Sequence, residues 1–192
     1  MMRLLALTLM AALAGCAGSD NAIEAIYTIS ADATPAAPSG TTSQLLVPEP
    51  RALASLGSNR IAVKPTPITL SYYPSVALED TAPKVLQRVL LDTFQNTGRV
   101  RAVGLPGQSL LINFQVVTEI RAFQVETFGT NRARIEVSAK VLNDSNGRVR
   151  ADRIFETEVA IPGDGPDQAA EGLNAAAQAI SNDIVAWTLA TI

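Results

Sequence analysis

The chain has 192 residues, with 15 basic and 18 acidic side chains, no histidine and one cysteine, and it is 47% hydrophobic but only 5% aromatic. That length suits a single domain, and a formal charge of −3 runs against the basic excess of a nucleic-acid binder. Without histidine there is no Ser-His-Asp triad, histidine base or histidine-ligated metal, and one cysteine excludes an internal disulfide or a zinc knuckle.

Met1-Met2-Arg3 gives a short positive start, and residues 4–14 form an uncharged apolar run. The run is too short to span a bilayer and fits the apolar region of a signal peptide. It ends at Leu13-Ala14-Gly15-Cys16, which resembles a bacterial lipobox. Small residues before Cys16 let an extended backbone enter a peptidase cleft, and Cys16 is the only thiol available for acylation. Residues 1–15 are therefore read as a signal peptide and Cys16 as the lipidated first residue of the mature chain. Three acyl chains there make the membrane attachment effectively permanent. Ala17 rather than Asp follows the cysteine, which in enteric-type sorting points to the outer membrane, with the domain facing the periplasm.

Residues 16–24 read as a tether and 25–192 as one domain. Ala25-Ile26-Tyr27-Thr28-Ile29 predicts a first strand, and residues 30–43, low in complexity and lacking an apolar period, predict a mobile loop. Strands are expected over 44–47 and 60–64, the second stopped by Pro65, and an extended piece over 68–73 before Pro74. At Asp80-Thr81-Ala82-Pro83 the period changes. Asp80 or Thr81 can cap a helix on which Val85, Leu86, Val89, Leu90 and Phe94 share a face, with Gly98 ending it.

A short strand over 99–103 leads to a longer one from 110 that continues to Val125. Residues 132–141 alternate, with Ala133, Ile135, Val137, Ala139 and Val141 on the buried face. Asn146-Gly147 predicts a hairpin turn into a strand over 148–161. Asp167 is a candidate cap for a final helix lined by Leu173, Ala177, Ile180, Ile184 and Trp187. These elements predict an α+β (α/β) domain of six or seven strands: a mostly antiparallel sheet with two amphipathic helices packed on one face, a two-layer sandwich.

Catalytic signals are weak. Gly163-Asp164-Gly165 lacks the third glycine of a dinucleotide fingerprint, and residues 143–147 read as a turn rather than a calcium loop. Glu79/Asp80 and Glu156/Glu158 are carboxylate pairs, but Glu156 and Glu158 share the wet face of a strand. Tyr72 and Tyr73, set among prolines, are candidate partner-binding residues; packing beneath the following helix is the equal alternative.

Several segments together resemble the auxiliary lipoproteins of ABC-type transport systems that work with mammalian-cell-entry (MCE) proteins in lipid trafficking. They are the lipobox at Cys16, Tyr27-Thr28-Ile29, Leu45-Leu46-Val47-Pro48-Glu49-Pro50, Arg60-Ile61-Ala62-Val63, Leu70-Ser71-Tyr72-Tyr73 and Ala82-Pro83-Lys84-Val85-Leu86-Gln87-Arg88. Glu119-Ile120-Arg121-Ala122-Phe123, Arg153-Ile154-Phe155 and Ile184-Val185-Ala186-Trp187 follow in order. Leu78-Glu79 stands where the family has a tryptophan. The resemblance implies no enzymatic activity and no cofactor. It implies contact with the membrane through the lipid, and with an MCE-domain protein and an ABC permease and ATPase as partners. A structural or assembly lipoprotein of the outer membrane is the alternative class, and a cell-wall or sugar-processing enzyme the third.

Overall fold

The computed structural model describes residues 22–33, 36, 40–108 and 111–192. The expected signal peptide, Cys16 and most of the expected tether lie outside the described residues. Among the described residues, ten strands and two long helices follow in chain order: β1 (Ala25–Tyr27), β2 (Gln44–Leu46), β3 (Arg51–Ala52), β4 (Ala62–Thr66), β5 (Thr69–Tyr72), β6 (Val76–Leu78), α1 (Ala82–Thr97), β7 (Ala102–Gly104), β8 (Phe114–Glu126), β9 (Arg132–Asn143), β10 (Val149–Ala160) and α2 (Pro166–Thr191).

The long strands β8, β9 and β10 form the expected antiparallel meander. The second hairpin closes through Gly147, at φ 67°, whose N–H donates to the Asn143 carbonyl at 2.9 Å. The short strands add parallel pairs that make the sheet mixed. β2, β3 and β4 lie one after another along the free side of β8, with Leu45 opposite Phe114, Arg51 opposite Glu119 and Val63 opposite Val125. Pro48 and Pro50 interrupt this run because they have no N–H for the ladder. The segments are parallel to β8 because a long crossover containing α1 separates them from it.

Pro65 does not end β4. The pairing with β8 stops at Lys64 opposite Glu126, so Pro65 stands beyond the ladder, where no donor is required. Pro67 and Ile68 then turn the chain into β5.

Both helices cover one face of the sheet. Val85, Leu86, Val89, Leu90 and Phe94 of α1 are all buried in the common core, as the periodicity predicts. Thr81 is the backbone N-cap of α1, and Gly98 ends it at φ 60°, in the left-handed region. In α2 the cap is Gly165, not Asp167. Pro166 follows at the first position, which displaces Asp167 into the first turn. Leu173, Ala177, Ile180 and Ile184 are fully buried, whereas Trp187 is half-buried and meets Phe155 edge-on at 5.4 Å.

The described ends of the 30–43 stretch are tied to both helices and to the segment just after α1. The Ser30 N–H donates to Asn174 Oδ1 at 2.9 Å, the Asn96 amide to the Asp32 carbonyl at 2.7 Å, and the Thr41 N–H to the Arg99 carbonyl at 2.8 Å.

Candidate docking surface

The segment 65–73 carries the tyrosines singled out from sequence, and the structure treats the two differently. Tyr73 faces the core and is almost wholly buried, so its ring is not available to a partner. Burial first, and then the Asp164 charge, raises its phenol above the ordinary value. Tyr72 is half-buried; its hydroxyl donates to the Ser55 carbonyl at 2.8 Å, and the Arg60 guanidinium lies 5.4 Å from its ring centroid. Arg60 also donates to the Tyr73 carbonyl at 3.3 Å. The pair therefore clamps the base of the β4–β5 hairpin to the body.

What this hairpin exposes is aliphatic. Ile68 at its tip is 96% exposed and Leu70 37%. Sequence reading missed both because Pro65 and Pro67 look like strand breakers; two extended runs joined by Pro67-Ile68 were the available signal for a hairpin.

The opposite margin of the sheet is open as well. β10 pairs only with β9 among the described residues, leaving one side of a twelve-residue strand unpaired, with Ile154 exposed on it.

On the sheet face away from the helices, Glu126 is buried (its side chain is 4% exposed) and receives Arg132 Nη2 at 2.5 Å and the Gln124 amide at 3.0 Å. Arg134 lies 3.8 Å from Glu126 and bonds Glu156 and Glu136, each at 2.6 Å. Burial alone would lower the Arg134 guanidinium, but its bond to Glu156 and the Glu156, Glu136 and Glu126 charges outweigh this and hold it above its ordinary value. Glu158 sits 3.2 Å from Arg132 Nε, outside hydrogen-bonding geometry. Glu156 and Glu158 are thus partners of arginines rather than a free acid–base pair.

At the start of α2, the Tyr27 hydroxyl donates to Asp167 Oδ1 at 2.5 Å. That bond, with burial and the carboxylate's charge, pushes the Tyr27 phenol up to about 12. A cleft of about 450 Å³ at the other end of the sheet is lined in part by Ser43, Gln44, Arg101, Asn113 and Phe114. Among the described residues no cluster of acidic or thiol side chains is arranged to hold a metal, and no helix is long and apolar enough to cross a membrane.

These features define a two-layer α+β domain whose exposed structural assets are an aliphatic hairpin and an open sheet edge. The chain belongs to the family of ABC-type transport auxiliary lipoprotein components, whose description it matches over residues 27–185. It is 30% identical over 151 residues to an uncharacterized protein, bll6063, of Bradyrhizobium diazoefficiens, a match covering 79% of this chain and 41% of that one. The chain thus spans less than half the length of that relative. The crystal structure of protein XCC0632 from Xanthomonas campestris superposes with a TM-score of 0.81 at 28% identity, over 86% of this chain and 95% of that one. A PelC dodecamer from Paraburkholderia phytofirmans shares the fold alone, with a TM-score of 0.51 at 11% identity over 79% and 93% of the two chains.

Proposed function

We propose that this protein is the tethered, non-catalytic component of an ABC-type lipid-transport system, held at the outer membrane by a lipid on Cys16 and docking an MCE-domain partner in the periplasm. The observation that carries the reading is the family match, which spans nearly all of the described domain. The pairing of Glu156 and Glu158 with Arg134 and Arg132 supports a non-catalytic role, since neither carboxylate is left free to act as acid or base. An envelope-spanning transporter powered at the inner membrane needs a contact at the outer one. A lipid tether supplies it by confining the domain near the surface, which raises its effective concentration for the partner.

The open edge of β10 is the surface assigned to that partner, because an unpaired strand can accept another by main-chain hydrogen bonding. A photo-crosslinking residue placed at Ile154 in intact cells should capture an MCE-domain protein, and deletion of the gene should sensitise cells to detergent. Cells that yield no such adduct and keep a normal permeability barrier would refute the transport role in favour of a structural outer-membrane lipoprotein.

A further inference from the structure

We infer that the tip of the β4–β5 hairpin dips into the same lipid surface that anchors the chain, forming a second, non-covalent membrane contact that orients the domain. The inference rests on the reading of Cys16 as the lipid anchor. Three observations carry it beyond that reading.

The first is where the hairpin points. β8 ends at Glu126, opposite Lys64, and everything from Pro65 to Thr69 extends past that end of the long strands. Ile68 stands in the turn at the extremity, and Leu70, two residues on in β5, is exposed with it.

The second is chemistry suited to a lipid interface. No charged side chain occurs from residue 65 to 78, nor in the adjoining 127–131 loop, in a chain that is 17% charged. The loop is held to the foot of the hairpin by the Thr127 N–H, which donates to the Lys64 carbonyl at 2.9 Å. Two donors at the tip are satisfied within it: the Thr66 hydroxyl donates to Thr69 Oγ1 at 2.8 Å, and the Thr69 N–H returns to Thr66 Oγ1 at 3.1 Å. Pro65 and Pro67 carry no N–H at all. A tip that must leave water for a lipid interface is penalised for each unsatisfied donor, and this one has been relieved of most of them. Lys64, at the foot, has no carboxylate within ion-pairing distance among the described residues, and suits the anionic headgroups it would meet.

The third is reach. The Glu24 N–H donates to the Ser75 carbonyl at 2.7 Å, so the chain leaves the domain beside the segment that leads out of the hairpin. Cys16 lies eight residues before Glu24, a span of at most about 29 Å, and Ile68 lies seven residues from Ser75, at most about 25 Å. The anchor and the tip can therefore meet one surface. Tethering makes even a weak contact effective, because the tip never leaves the neighbourhood of the lipid.

The test uses the full mature chain reconstituted in vesicles of phosphatidylethanolamine and phosphatidylglycerol. Acylation blocks Cys16, so Ile68→Cys offers a single thiol for an environment-sensitive fluorophore. Asn146→Cys, on the β9–β10 turn at the opposite end of the long strands, carries the same fluorophore as control. Nitroxide-labelled acyl chains are expected to quench the Ile68 probe several-fold more than the Asn146 probe, with blue-shifted emission at Ile68 alone. Equal, water-like signals from both positions on a chain whose Cys16 is shown by mass to be acylated would overturn the inference and leave the anchor standing. An Ile68 probe shielded from water but unquenched by the lipid would also overturn it, assigning the tip to a protein contact. An unacylated Cys16 would defeat the anchor reading and this inference with it.

Discussion

Replacing Gly172 with alanine sets two effects of opposite sign against each other at one methyl group. Gly172 lies in the second turn of α2, on its sheet-facing side, and is buried. In an exposed helix interior the change gains about 0.8–1 kcal/mol, because alanine loses less backbone entropy. Here the added Cβ would collide with Ile161 Cγ2 and come within 3.1 Å of Ala133 Cβ on β9. Neither obstacle is the far end of a flexible chain: Cγ2 is fixed to a β-branched carbon, and the alanine methyl cannot rotate away. Forcing a methyl into such a site typically costs about 1–3 kcal/mol. The collision should win, leaving a net destabilisation of about 1 kcal/mol, read as a Tm lower by about 2–4 °C for a domain of this size. Ile161→Ala removes Cγ2 and by itself costs about 2–5 kcal/mol. In that background the Gly172→Ala methyl keeps the tight approach to Ala133 and an ordinary 3.8 Å contact with the Cβ left at position 161, so the substitution should become neutral or stabilising, a coupling of about 1–2 kcal/mol in a double-mutant cycle. Chemical unfolding of the four proteins measures it. A stabilised Gly172→Ala single variant, or a cycle additive to within about 0.5 kcal/mol, would refute the close approach of α2 to the sheet.

Two other perturbations probe the polar framework. Glu126→Leu leaves Arg132 and Arg134 in place but takes away the buried carboxylate between them; because Arg134 keeps Glu156 and Glu136, the expected loss is about 1–3 kcal/mol by denaturant unfolding, and an unchanged midpoint would count against the network. Tyr27 has a folded-state pKa of about 12, above the unfolded value, so its contribution to stability is complete below about pH 10 and is lost as pH rises through 12. Absorbance titration should place one tyrosine near 12 in the native chain and bring it down in Asp167→Asn, whose stability should fall less between those pH values; identical titrations would break the assignment.

Periodicity carried most of the fold because burial on one face imposes it. The buried alternation along 132–141 and the i, i+3, i+4 spacing from Val85 to Phe94 are each determined by a single partner, the helix layer or the sheet. Capping was less legible. Asp167 has the right chemistry for a helix cap, yet the cap is Gly165, because Pro166 is best accommodated as the first helical residue and Tyr27, 140 positions away, takes the carboxylate. Parallel pairing of β2, β3 and β4 with β8 was illegible for a related reason. Strands of two to five residues carry too little pattern to show direction, and their register is set by a neighbour more than fifty residues on.

The candidate surface shows the same limit more sharply. Tyr72 and Tyr73 attract attention because aromatic side chains dominate interfaces. Yet an aromatic beside a core is also the side chain that burial rewards most, and here the core takes Tyr73 while Ser55 and Arg60 hold Tyr72. Ile68 carries no sequence signal of its own. It becomes conspicuous only when the hairpin outruns β8 and no second layer is left to cover it. Whether an aliphatic residue at a turn is core or contact is decided by how far its strand extends past the strand it pairs with. In this chain that length is fixed by where β8 stops, at Glu126, a carboxylate buried by Arg132 and Arg134.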